Sequence, residues 1–130
     1  MKKLFFAVLF IAGNTFLFAQ KKSLHIQCDF PAVLKQTEYK ELKVSVGNSF
    51  TKESTGHLTF EIFNADKNIS VDGWFLNVFP FQYFTATPQK TFTTTFPFTV
   101  PGEYKGNIRI VIKAICGNVK DSISQIITVK

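Results

Sequence analysis

From Leu24 to the C-terminus the apolar side chains of this chain recur at every second position, and no segment carries the spacing of an amphipathic helix. Successive side chains of a strand point to opposite faces, so period two means one dry face and one wet face. A chain of this kind folds by closing two sheets on each other, which takes both dry faces out of water. Leu24, Ile26, Cys28 and Phe30 share one phase of a first strand, and Pro31 ends it because proline donates nothing to a ladder. Leu42, Val44 and Val46 form a second strand that stops at Gly47 and Asn48. Leu58, Phe60 and Ile62 form a third, with His57, Thr59 and Glu61 on its other face. Residues 64–68 read as a turn, since Asn and Asp side chains bond to nearby main chain.

The later signals are equally regular. Phe92, Phe96, Phe98 and Val100 face inward against an outward row of Thr91, Thr93, Thr95 and Thr99, and Pro97 marks an edge strand or a bulge. After the Pro101-Gly102 turn, Tyr104, Ile108, Ile110, Ile112, Ala114 and Cys116 share a phase; Lys105, Asn107, Arg109 and Lys113 face away. Gly117 and Asn118 lead into a last strand that turns Ile123, Ile127 and Val129 inward. Between the two halves, residues 69–84 are apolar in both phases: Trp74, Leu76 and Val78 in one, Phe75, Phe79, Phe81 and Tyr83 in the other. This stretch reads as a strand over residues 71–79 with Trp74 at the core centre, followed by an irregular crossing after Pro80. The pattern predicts an all-β fold, an immunoglobulin-like sandwich of about seven strands, as one domain over residues 21–130.

The N-terminus is of another kind. Lys2 and Lys3 precede an unbroken apolar run from Leu4 to Ile11, and a small residue, Ala19, stands at the expected cut. Residues 1–19 therefore read as a signal peptide, with an uncleaved anchor as the alternative, and the chain is expected to be secreted or periplasmic. Bulky Gln27 before Cys28 does not fit a lipoprotein signal. No later stretch is long and apolar enough for a transmembrane segment. Loss of Lys2 and Lys3 lowers the formal charge from +6 to +4, and the remaining lysines are scattered beside a single Arg, Arg109. Nucleic-acid recognition concentrates its cations in a patch, so no nucleic-acid partner is expected.

The two cysteines, Cys28 and Cys116, fall in the core phase of their strands, and export favours disulfides. They are candidates for one bond, with two buried thiols as the alternative. Any such bond departs from the antibody pattern, because the second strand contains no Cys. His25 and His57 stand apart, with no Cys or carboxylate at metal-ligand spacing, so no metal and no cofactor is expected. Asp66, Asn68 and Asp72 lack the dense acidic spacing of a calcium loop and read as a solvated turn. No nucleophile elbow, HExxH, phosphate loop or CxxC occurs, and Glu38, Glu41 and Glu103 stand near strand ends or turns. No catalytic residues are assigned, and the chain is not expected to be an enzyme. Two short modification motifs remain: Asn68-Ile69-Ser70, an N-glycosylation sequon, and Asp121-Ser122-Ile123, an O-glycosylation acceptor pattern at Ser122.

The feature above background is aromatic. Trp74, Phe75, Phe79, Phe81, Tyr83 and Phe84 crowd one short stretch, and a sheet buries only one phase. Either these rings fill the core beneath a long crossing, or Phe81, Tyr83 and Phe84 form a binding patch for a protein or glycan. The stretch Gly56 to Phe63, together with Val100-Pro101-Gly102-Glu103-Tyr104 leading into a long strand, resembles bacterial immunoglobulin-like modules of the cell-adhesion-related and invasin-like class. The Phe18-Ala19-Gln20 end of the leader is similar to that of small exported proteins of Bacteroidetes-type bacteria. The resemblance implies a non-catalytic binding module at the cell surface or in the periplasm. A structural accessory subunit of an envelope assembly is the first alternative, and a small hydrolase or lipid carrier the second.

Overall fold

The computed structural model describes residues 23–130, so the expected signal peptide, residues 1–19, lies outside the described residues. Nine strands follow one another: β1 (Leu24–Cys28), β2 (Val33–Leu34), β3 (Tyr39–Asn48), β4 (Ser54–Asn64), β5 (Ile69–Ser70), β6 (Phe81–Ala86), β7 (Phe92–Thr99), β8 (Gly106–Cys116) and β9 (Val119–Val129). β1, β3 and β7 make a three-stranded sheet, and β2, β9, β8, β4 and β5 make the second sheet, with β6 also paired to β4. The described residues are all-β and fold as an immunoglobulin-like sandwich. Two strands beyond the expected seven, β2 and β5, are two-residue pieces that attach to β9 and β4.

The expected inward phases are the buried ones. Leu42, Val44 and Val46 from β3, Leu58, Phe60 and Ile62 from β4, Phe96 and Phe98 from β7, and alternate residues of β8 from Ile108 to Cys116 form the core. Phe60 stacks on Phe96 at 4.7 Å between centroids, so the closest aromatic contact of the interior joins the two sheets. β7 lies at the edge of its sheet, where Pro97 leaves no ladder bond unmade. A polar side chain reaches across each open side of the sandwich. Gln82 on β6 donates to Thr95 O and accepts from Thr94 Oγ1 on β7, while the Ile26 N–H on β1 donates to Asp121 Oδ2 on β9.

The stretch 71–79 departs from its expectation. It is a chain of turns, with Phe75 N–H bonded to Val71 O and Asn77 N–H to Asp72 O, and the strand comes later, at β6. One helical turn places Val71 and Phe75 on the same side, and both are buried. Phe75, not Trp74, is therefore the core aromatic of this segment, and Trp74 is 53 % exposed. Alternation fails here because a short helical turn between strands buries positions four apart.

No disulfide joins the cysteines, which are free thiols. Asp121, opposite Ala114 on β8, meets Ile26, and β1 runs on from there towards Ile123 and away from the Cys116 end. Cys28 ends up half-buried beside Phe30 and Ile123, while Cys116 packs against Gly56 at the hairpin end. Burial pushes the Cys28 thiol up to about 11, with the Asp29 carboxylate adding to the shift, and burial also raises Cys116.

Two expectations follow. A Cβ on Gly56 would lie 2.4 Å from Cys116 Sγ and 2.4 Å from the Ile115 carbonyl oxygen, so Gly56→Ala forces main chain apart. It is expected to cost about 2 kcal/mol or more in urea denaturation, whereas Gly47→Ala, with open space around its Cβ, is expected to cost under about 1 kcal/mol. The thiols predict the alkaline limb of stability. Their pKa values are raised in the folded state, so their contribution is complete below the ordinary thiol pKa and is lost as pH rises from there towards about 11. The Cys28→Ser variant should lose less stability over that window than the wild type in pH-dependent thermal melts.

Candidate binding surface

β4 borders β8 on one side, and on the other its main-chain groups are satisfied piecemeal. Residues Ser54–Thr59 pair with β6, and Phe63 and Asn64 pair with β5. In the gap, Phe60 N–H donates to Pro80 O, and Asn77 Nδ2 donates to Phe60 O at 2.8 Å. Ile62 N–H donates to Asp72 Oδ1 at 2.7 Å, and Ile62 O accepts from Val71 N–H. Asn77 Nδ2 also donates to Asp72 Oδ1, tying the two polar side chains together. Asp72 and Asn77 thus do the work of a strand at the middle of β4. The sequence reading assigned Asp72 to a solvated turn and missed Asn77; a lone amide inside an apolar run was the available signal.

That arrangement leaves the other side chains of the segment no interior to enter. Val71, Phe75 and Asn77 point in; Trp74, Leu76, Val78 and Phe79 point out. Leu76 holds a positive φ of 54°, a left-handed conformation unusual for Leu, as part of the tight turn that aims Asn77 inward. Trp74 packs edge-on against Tyr104 at 5.4 Å, which in turn meets Phe75 at 5.0 Å. Burial raises the Tyr104 phenol above its ordinary pKa, with Asp66 adding to the shift and a hydrogen bond with Asn64 opposing it.

The rings continue onto β6. Phe81 and Tyr83 lie on the outer face, 47 % and 73 % exposed, and meet edge to face at 5.0 Å. His57 on β4, opposite Tyr83, stacks on Phe81 at 4.8 Å and meets Tyr83 edge-on. Phe84 parts from this group. It sits one position out of phase with Tyr83, is buried, and stacks on Phe92 beneath the sheet. The expected trio is therefore a pair, Phe81 and Tyr83, with His57 as its third ring. The outward phase of His57 was legible; its position across from Tyr83 needed the register.

Among the described residues, seven of the ten exposed large hydrophobic residues fall between Ile69 and Tyr83. No charged residue occurs between Asp72 and Lys90. An interface core is depleted of charge and rich in Trp, Tyr and Phe, and this surface has that composition.

The modification motifs lie elsewhere. Asn68 is exposed at φ 55°, and its Oδ1 accepts a hydrogen bond from Arg109 Nη2, while Arg109 also lies over the Phe63 ring at 5.2 Å. Ser122 is exposed in mid-strand, opposite Lys113. Among the described residues no three of His, Cys, Asp and Glu converge as a metal site, and no helix is long and apolar enough to cross a membrane.

No protein-family model matches this chain, and no curated protein does. A search of solved structures finds it similar to the CARDB domain of the PF1109 protein from Pyrococcus furiosus, a structure in complex with di-metal ions. That likeness has a TM-score of 0.62 at 16 % sequence identity and covers 82 % of this chain and 87 % of the other. What the likeness shows is the fold, the immunoglobulin-like sandwich.

Proposed function

We propose that this chain is an exported, non-catalytic binding module that holds a protein or glycan through the rings of Phe81, Tyr83 and His57 and the adjoining Trp74, Leu76, Val78 and Phe79. The observation that carries the reading is the clustering of exposed apolar side chains on one uncharged segment. Monomeric domains scatter their exposed hydrophobic residues, and a contiguous set marks a contact surface. The surface is held rigid by Asp72, Asn77 and the β4 ladder, so its rings lose little entropy on binding. Similarity in fold to a CARDB domain supports an adhesion-type role. A carrier would need an empty apolar interior, and here Phe60, Phe75, Phe96 and Phe98 occupy the space between the sheets.

A second reading, an accessory subunit of an envelope assembly, draws support from the free outer edge of β6, which is paired only to β4. Both readings place the partner on the same flank.

The Phe81→Ser/Tyr83→Ser double variant tests the site. Capture of a cell-surface partner by the exported chain is expected to fall at least tenfold, with thermal stability within about 1 kcal/mol of wild type, since both rings are exposed. Undiminished capture would remove this surface from the function. Phe84→Ser is the contrast: it is expected to destabilise by about 3 kcal/mol, because that ring is in the core.

A further inference from the structure

The outer edge of β6 has a defined hydrogen-bonding pattern. Phe60 N–H reaches Pro80 O, so even-numbered positions of β4 direct their main-chain groups towards β6. Gly56 with Phe84 and Leu58 with Gln82 are then the hydrogen-bonded pairs of the β4–β6 ladder. The main-chain groups of Phe81, Tyr83 and Thr85 consequently point the other way, off the edge of the sheet. Among the described residues no strand pairs with them. The same three residues carry the exposed side chains of this strand.

Natural sheets protect open edges with charges, prolines or bulges. The long edge of β9 carries Lys120 and Asp121, and β7 carries Pro97. β6 has none of these: Phe81-Gln82-Tyr83-Phe84-Thr85-Ala86 is uncharged, and so is the run leading into it from Gly73. Gln82 is turned beneath the sheet to Thr94 and Thr95, so it leaves the edge clear.

We infer that a second copy of this chain pairs with that edge, β6 against β6 in antiparallel register, about a two-fold axis at Tyr83. This rests on the reading of the aromatic surface as a contact site and names its occupant. The edge is self-complementary. A two-fold at Tyr83 sets Tyr83 against the same residue of the second copy and Phe81 against Thr85, each as a hydrogen-bonded pair, for about six main-chain hydrogen bonds. Phe81 against Thr85 is an aromatic–β-branched cross-strand pair, which stabilises antiparallel ladders. No like charges meet, since neither strand bears any. The two larger sheets join into one continuous sheet, and the exposed Tyr83 rings cover each other across the axis.

Charge swaps at the axis read this directly, at a residue 73 % exposed and therefore tolerant of change. The exported chain is expected to sediment as a dimer that dissociates on dilution. Tyr83→Lys and Tyr83→Glu, each facing its own like charge, are each expected to sediment as monomers that melt like the diluted, monomeric wild type. An equimolar mixture of the two is expected to restore the dimer. A wild type that stays monomeric at millimolar concentration overturns the inference, as does a Tyr83→Lys or Tyr83→Glu dimer as tight as wild type, or a mixture that fails to re-associate. Amide exchange supplies an independent reading: Phe81, Tyr83 and Thr85 amides should be protected at high concentration and exchange freely on dilution. Protection that appears only when another protein is added assigns the edge to a foreign strand and also overturns the pairing of copies. A monomer whose capture of a partner is still lost in Phe81→Ser/Tyr83→Ser leaves the binding reading standing and removes only the self-pairing.

Discussion

The middle of β4 is where this fold is decided. Phe60 and Ile62 are fully buried, yet their main-chain groups face away from β8 at a place where no strand pairs with them. An unmade hydrogen bond at a buried strand costs about 1–3 kcal/mol. Asp72, Asn77, Val71 and Pro80 remove that cost by folding one tight segment along the gap. The turn from Val71 to Phe75 and the left-handed Leu76 put Val71, Phe75 and Asn77 inside, and Trp74, Leu76, Val78 and Phe79 lie outside. The exposed surface thus arises from the satisfaction of buried polar groups elsewhere in the same segment.

The two flanks of the sandwich differ in consequence. On the β1–β9 side, Asp121 reaches across to the Ile26 amide and places a carboxylate at the boundary between the sheets. On the β6–β7 side, Gln82 makes the equivalent crossing with a neutral amide. One flank is therefore marked by charge and the other is uncharged from Gly73 to Gln89. Any partner that buries apolar surface meets the second flank without a desolvated ion to oppose it.

Much of the fold was legible because burial on β3, β4, β7 and β8 obeys strict alternation; the phases of Leu42, Phe60, Phe96 and Ile110 needed only period two. Pro97 correctly marked an edge strand. The stretch from Ile69 to Phe84 was not legible by the same rule, since a helical turn at Val71 and Phe75 sits inside an apolar run with no periodicity of its own. Phe81, Tyr83 and Phe84 stay between a core and a surface reading in the sequence, and burial divides them: Phe81 and Tyr83 are exposed, while Phe84, in the opposite phase, is buried. His57 required the cross-strand register, and the free thiols required knowing in which direction β1 leaves Asp121. These are long-range facts, and adjacent residues carry no record of them.

The chain has a single Trp, and it stands on the segment whose outward turn underlies this account. Fluorescence of the folded chain, with iodide as quencher, reads its environment without any substitution. At concentrations low enough to separate single copies, Trp74 should emit towards the red and be quenched nearly as efficiently as in the unfolded chain. A blue-shifted, quencher-resistant emission would put Trp74 inside the core and contradict the outward-facing surface on which the proposed binding depends.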